Sequence, residues 1–404
     1  MPVAFAVCAA VFFVVANYSA ARLPLSQVVP EHGFPDHRLF DGWTRWDTDW
    51  YQSIAQRGYY YDGPGRQASV AFFPGYPATM RLAMVVFRDP LVAGVVVTYL
   101  AGLAAAFLFA RFCRTAFGER AGRLGVLVLL LYPFSLFLFG AVYSDALFLA
   151  TALAAFLLLE SDHPVLAGLV GALVTASRPV GLAVAAGLLV RTLELRGVLP
   201  GGPPRLDGRE AGVASGHRTP LVPWPVRPGR LRRPDTGVLL SFLGIAGFCA
   251  LLWWRFGEPF AFARVQTADG WARGLDAETF FKHDVFTRYF HGPLGIPDLI
   301  VGVNGFVTML LLALVPLVVR RLGWGYGLYS LVVILVPASS SREFIAMGRH
   351  ALAAFPGFAV GAALLAGAGS GRARFHPALA AAWLVPSGAA AVVMCSLFAR
   401  WYLL

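Results

Sequence analysis

The sequence predicts an all-α polytopic membrane protein, and three observations predict it. Of the 404 residues, 58% are hydrophobic and only 14% charged, where a soluble domain carries roughly a quarter charged. Apolar runs of the length a helix needs to cross a bilayer recur from end to end. The arginines gather between those runs rather than within them, the pattern of a positive-inside topology.

The spans read in order as Val3–Ala20, Leu91–Phe112, Leu124–Ala141, Ala146–Leu159, Val165–Ala176, Val180–Leu193, Val238–Trp254, Leu299–Val319, Tyr326–Ala338, Leu352–Ala366 and Leu379–Phe398, about 11 transmembrane helices at roughly 20 residues per crossing. The run Val3–Tyr18 lacks a basic flank and reads as a first span rather than a cleaved signal. The pair around Arg178-Pro179 reads as broken or tilted helices, because proline disfavours helix at the residue before it. The chain forms a single membrane domain, 1–404. Residues 21–90 form a first outward loop, 194–235 a flexible linker rich in Arg, Pro and Gly, and 255–298 a second large outward loop.

Basic residues set the orientation. Arg111, Arg114, Arg120 and Arg123, the arginines of 191–235, Arg320-Arg321 and Arg372/Arg374 mark four turns, and placing all four in the cytoplasm keeps the spans alternating. The N-terminus fits less well, since no basic residue holds it inside and Arg22 falls outside. This bias accounts for the net charge of +11 without a nucleic-acid partner. Cys8, Cys113, Cys249 and Cys395 stand singly in or beside apolar runs, with no metal-ligand spacing and no disulfide framework. No acidic cluster beyond Asp47/Asp49 argues for a cation, and two acids can suffice for one with water ligands.

That topology carries five polar groups to the extracytoplasmic side: RWDTDWY (Arg45–Tyr51), YSD (Tyr143–Asp145), SRP (Ser177–Pro179), MGRH (Met347–His350) and the loop containing Gln266. Read as a helix over 43–54, the first would align Trp43, Trp46, Trp50 and Ile54 as an apolar stripe lying in the membrane interface. Asp47 and Tyr51 would border the stripe. Asp49, about 200° around at 100° per residue, would face water. A partly desolvated Asp47 suits a general base, although an anchoring helix with solvated acids explains the same letters. Arg178 and Arg349, the latter followed by His350, sit where a guanidinium could grip a phosphate with its fork of donors; each also fits an arginine reaching out from a helix end. Asp145 fits either a site or a helix N-cap.

These residues carry a resemblance. RWDTDWYQSIAQRGYYYDG followed by VAFFPGYP (Arg45–Pro77) resembles the first luminal loop of the PIG-V family, the GPI mannosyltransferase II enzymes and their bacterial homologues. YSDALF, SRPVG, GEPFAFARVQTADGW and MGRHALAAFP follow in the family's order. The resemblance implies a GT-C glycosyltransferase-like helix bundle with interfacial helices in the first outward loop, and a multi-pass protein of the plasma membrane with an extracytoplasmic site. It implies a donor of the polyprenyl-phosphate-mannose kind and no nucleotide sugar; with that donor as substrate, no cofactor and the metal requirement left open, the expected activity is an inverting transfer of mannose to a hydroxyl of a glycolipid or glycan acceptor. The motif's acid falls on Asp47; Asp49 occupies a place that is sometimes acidic; Trp50 stands where many members carry His. Arg178, Arg349 and His350 are then expected at the donor phosphate, with Arg45, Trp50, Tyr51, Tyr143, Asp145 and Gln266 lining the substrate. The Lys-poor, Arg- and Ala-rich composition points to a GC-rich bacterium, so a GPI acceptor does not carry over. The alternatives are a lipid or polysaccharide transporter, against which the absence of a clear internal repeat counts, and a non-catalytic scaffold subunit.

Overall fold

The computed structural model describes residues 1–26, 39–199, 219, 231–268, 271, 281–282, 285, 287, 289, 293–340, 343–368, 375 and 377–403. The expected linker 194–235 lies largely outside these residues, as does the middle of the 255–298 loop. Among the described residues every regular element is helical.

Among the described residues, five helices are long and apolar enough to cross a membrane: Pro2–Arg22, Pro90–Phe117, Arg233–Phe256, Ile296–Leu322 and Pro377–Ala399. We label the helices α1 (Pro2–Arg22), α2 (Thr48–Arg57), α3 (Gly75–Phe87), α4 (Pro90–Phe117), α5 (Glu119–Leu130), α6 (Asp145–Glu160), α7 (Pro164–Thr175), α8 (Leu182–Leu195), α9 (Leu243–Phe256), α10 (Ile296–Leu322), α11 (Trp324–Ser340), α12 (Met347–Ala351), α13 (Phe355–Leu365) and α14 (Pro377–Ala399). The eleven expected spans thus resolve into five full-length helices and several shorter ones. α4 packs on both α5 and α6, α8 on α11, α10 on α11, and α14 closes back on α1.

The short helices have identifiable breakers. The run expected as one span, Leu124–Ala141, stops as α5 at Leu130, because Pro133 disfavours helix just ahead of it; a 3₁₀ turn, Ser135–Leu138, follows. Arg178 is extended (φ −158°, ψ 148°) ahead of Pro179, which separates α7 from α8. Where apolar helices meet in a bilayer, small residues let the backbones touch. A methyl group on Gly168 would come within 1.9 Å of the Gly237 carbonyl oxygen, and one on Gly244 within 1.9 Å of that of Ala172.

The loop expected to face outward first, 21–90, departs from expectation at its most informative point. The helix does not run over 43–54. A 3₁₀ turn, Asp41–Trp43, comes first, Trp46 adopts a left-handed backbone (φ 52°), and α2 starts only at Thr48. Trp43 and Trp46 therefore leave the predicted stripe. Trp43 is buried against Gly140, while Trp46 meets the Trp401 ring edge-on at 5.7 Å. α3 presents Leu82, Val85 and Val86 outward, an apolar face suited to lipid.

Two buried charge clusters mark the two ends of α6, about 22 Å apart at 1.5 Å rise per residue. One contains Asp145 at its first turn. At the other end Arg191 Nε donates to Glu160 Oε1 at 2.8 Å, Tyr326 Oη donates to the same oxygen at 2.9 Å, and Glu194 accepts from the first backbone N–H groups of α11, at 2.5 Å from Trp324 and 3.2 Å from Gly325. Arg191 and both carboxylates are shielded from solvent. Removing a single partner strands the remaining charges, so Arg191→Met should lose about 3–5 kcal/mol of stability. Thermal unfolding of the purified protein in detergent measures this; a wild-type melting profile would mean the cluster is not buried.

Candidate functional site

Four segments far apart in sequence converge at the Asp145 end. Asp47 is the residue before α2, the position where an acid usually caps the helix, yet its side chain makes no capping bond. Its Oδ2 instead accepts from Arg349 Nη1 at 2.7 Å. Arg349 Nε lies 4.0 Å from Asp145 Oδ2, and Asp145 Oδ1 accepts from Arg178 Nη1 at 2.6 Å. Arg178 Nη2 is 3.3 Å from His350 Nδ1. A guanidinium only donates, so Nδ1 accepts and a neutral His350 ring carries its proton on Nε2. The result is one chain of alternating charge, Asp47–Arg349–Asp145–Arg178, ending on an imidazole.

Local structure places each member. Extended backbone ahead of Pro179 turns Arg178 back towards α6. Gly75, in the FFPGYP run, donates its N–H to the Ala176 carbonyl at 2.7 Å; a Cβ there would sit 2.4 Å from Ser177 Oγ, so glycine is what lets this loop seat on the SRP turn. Gly348 does the same for MGRH. Its N–H donates to Asn304 Oδ1 at 2.5 Å, its carbonyl accepts from Tyr132 Oη at 2.8 Å, and a Cβ would strike the Phe134 ring at 2.1 Å. Tyr143 is the hinge pin: its Oη accepts the Asp47 N–H and donates to the Arg45 carbonyl, both at 3.1 Å, and its ring lies 4.8 Å from the Arg349 guanidinium. Tyr51 Oη is 3.0 Å from Ser144 Oγ. Burial is the main reason its phenol is pushed up to about 12, so it stays neutral and can donate.

The expected residues therefore separate into groups. Asp47, Tyr143, Asp145, Arg178, Arg349 and His350 come together, with Tyr51 beside them. Asp145 opens α6 but makes no capping bond, its carboxylate being turned to Arg178 and Arg349. Asp49 is exposed, on the side of α2 expected to face water. Trp50 stacks on Phe72 (5.5 Å, 16°) and meets Tyr60 and Trp271 in an aromatic group of its own. Gln266 hydrogen-bonds within its own turn, to the Phe262 carbonyl at 3.4 Å. Arg45 corrects the reading as a substrate ligand: it is 1% exposed, and its donors are spent inside the protein. It grips Asp41 through both carboxylate oxygens, donates to the carbonyls of Thr44 and Ala399 at 3.0 Å, and lies 4.6 Å over the Trp401 ring.

Sequence reasoning missed this staple to the C-terminal segment. Ser26 and Trp46 add to it, donating to the Trp401 carbonyl at 2.9 Å and the Tyr402 carbonyl at 3.3 Å. Asp41, four residues before Arg45, was the local signal available; nothing local points to residues 399–402.

Fold and site together define the class: a polytopic membrane protein of GT-C architecture whose first long loop brings a carboxylate to a buried pair of arginines. Over 98% of its length the chain superposes on 75% of ArnT from Cupriavidus metallidurans, solved bound to undecaprenyl phosphate, with a TM-score of 0.50 and 14% identity. The archaeal oligosaccharyltransferase AglB from Archaeoglobus fulgidus, solved with an inhibitory peptide and a dolichol-phosphate, gives a TM-score of 0.45 at 12% identity, over 97% of this chain and 55% of that one. The fold assignment rests on the first of these. Residues 31–195 match the family model described as Mannosyltransferase (PIG-V), which bears out the resemblance over the segment holding Asp47, Asp145 and Arg178. No curated protein sequence matches. The family match and the fold support a membrane glycosyltransferase.

Because Arg45 holds the loop carrying Asp47 to residues 399–401, Arg45→Leu should cost on the order of 2 kcal/mol, the worth of charge-assisted hydrogen bonds left unmade. Trp401→Ala, which removes the buried ring that both Arg45 and Trp46 pack on, should cost more, about 3–5 kcal/mol. Melting temperatures of the two variants check the order; equal, negligible losses would remove the staple.

Proposed function

We propose that this protein is an inverting mannosyltransferase of the plasma membrane, moving mannose from polyprenyl-phosphate-mannose to an extracytoplasmic acceptor hydroxyl on a glycolipid or glycan. The observation that carries the reading is the Asp47–Arg349 contact within a chain whose residues 31–195 match a mannosyltransferase family. A carboxylate and a phosphate-binding group must reach the same anomeric carbon, and here they are in contact before any substrate arrives.

The chemistry follows from the charges. The acceptor oxygen attacks the anomeric carbon, its proton passes to Asp47, and the bond from that carbon to the phosphate oxygen breaks with its electron pair leaving on phosphate. One displacement inverts the configuration. The donor's phosphodiester carries one negative charge, and the departing monoester carries about −1.5 to −2 near neutral pH. Arg349 and Arg178 would take up the charge that develops, which would favour the transition state over the ground state. Solved with undecaprenyl phosphate, ArnT provides a precedent on this fold for such a leaving group.

Sidedness is supported by where the basic turns lie. Phe112 packs on Tyr326 (5.4 Å), and the N-terminus of α11 is capped by Glu194. The arginine-rich ends of α4, α8 and α10 thus gather at the end of α6 opposite Asp145. With basic turns inside, Asp47 and its partners face outward.

A general base contributes about 10²- to 10⁴-fold, so Asp47→Asn should lose at least about a hundredfold in mannose transfer in a membrane assay with labelled polyprenyl-phosphate-mannose, the protein remaining monodisperse. Near-normal turnover by a folded Asp47→Asn protein would refute the assignment. Arg178→Lys keeps the charge beside Asp145 but loses the fork. It should raise the KM for donor about tenfold or more and leave that for acceptor within about twofold. Equal effects on both substrates would assign Arg178 to structure alone.

A further inference from the structure

We propose that the Asp47–Arg349 ion pair is an exchangeable latch: the donor's phosphate takes Arg349 from Asp47, so the carboxylate is released to the acceptor only once the donor is bound. The inference rests on the transfer reading above and adds an order to it, donor before acceptor.

Four features of the geometry point to exchange rather than to a permanent structural pair. First, Arg349 is bonded on one side only. Its Nη1 holds Asp47, while among the described residues the buried Nε has no hydrogen-bond partner and faces Asp145 Oδ2, also buried without one, 4.0 Å away. A small turn of the guanidinium satisfies both atoms, so Arg349 can leave Asp47 without being stranded. Second, the two ends of the pair differ in access. The Asp47 side chain is 28% exposed and that of Arg349 10%, so an incoming anion meets the pair at its Asp47 edge. Third, the Asp47 backbone does not depend on its side chain. Tyr143 Oη holds the Asp47 N–H, and the carboxylate makes no capping bond to α2. The carboxylate can swing free while its Cα stays in place. Fourth, the four charges sum to zero before substrate binds: two carboxylates and two guanidinium groups. A phosphodiester makes the cluster anionic, and the repulsion falls hardest on Asp47, the member with somewhere to go.

The exchange has a chemical purpose. While Asp47 is held by Arg349, one of its oxygens is committed to the guanidinium and Arg349 is committed to Asp47. Neither serves its substrate. A phosphate resolves both at once, since it offers Arg349 several oxygens in place of one. An acceptor hydroxyl entering first would find the carboxylate still engaged.

The test is binding of a polyprenyl monophosphate, with no sugar and no acceptor, to the full-length protein in detergent micelles or nanodiscs, followed by calorimetry. If Asp47 competes with phosphate for Arg349, Asp47→Asn should bind this lipid about fivefold or more tighter than wild type, because the amide no longer competes as an anion. Asp62→Asn removes the same charge from an exposed position of the same loop and should stay within about twofold of wild type. Asp47→Ala serves as the second variant and should also gain affinity. Equal or weaker binding by a folded Asp47→Asn, or an equal gain in Asp62→Asn, overturns the latch while leaving the transfer reading intact. Failure of wild type and both Asp47 variants to bind the lipid overturns the latch together with the donor assignment.

Discussion

The Asp145 end of α6 is organised by one electrostatic constraint: two buried guanidinium groups and two carboxylates must neutralise one another in alternation. Unpaired, any of them would be expensive at this depth. Paired, they tie the first loop through Asp47, α6 through Asp145, the SRP turn through Arg178 and α12 through Arg349. The site is thus also the fold's closure at that end.

The opposite end is built on the same economy with a different outcome. Arg191, Glu160 and Glu194 are sealed from solvent, and their hydrogen bonds go to Tyr326 and to the start of α11. Nothing there has an exposed edge. At the Asp145 end the Asp47 side chain is partly open and two polar atoms of the chain, Arg349 Nε and Asp145 Oδ2, have no hydrogen-bond partner. Buried polar atoms are nearly always satisfied, and these two sit where a phosphate is proposed to bind. A sealed cluster makes a brace; one with an open edge leaves bonding capacity for a ligand.

Much of the site was legible from residues alone. Ionisable groups beside apolar runs are rare enough to stand out, and the arginine bias sorted Asp47, Asp145, Arg178 and Arg349 to one side before any contact was known. Pro179 marked the break that aims Arg178. What misled was periodicity around Asp47. Trp43, Trp46 and Trp50 have helical spacing, but Trp46 takes a left-handed backbone because the chain there is held by Tyr143, Arg45 and the C-terminal segment. Tertiary contacts overrode a local pattern. Arg45 was misread for a related reason: an arginine in a polar motif looks like a ligand-binding group until its donors are found already spent on Asp41, Thr44 and Ala399.

By itself, then, the sequence determined the solvent and the candidates. Hydrophobic content dictates a membrane bundle, arginine placement dictates which end each loop occupies, and the cost of burying charge singles out the few ionisable residues that matter. Only the tertiary structure decided who partners whom. Arg349 is 302 residues from Asp47, and no local propensity relates them. Their contact depends on helices meeting through glycines at Gly75 and Gly348, a matter of steric fit between distant backbones that composition and spacing do not encode.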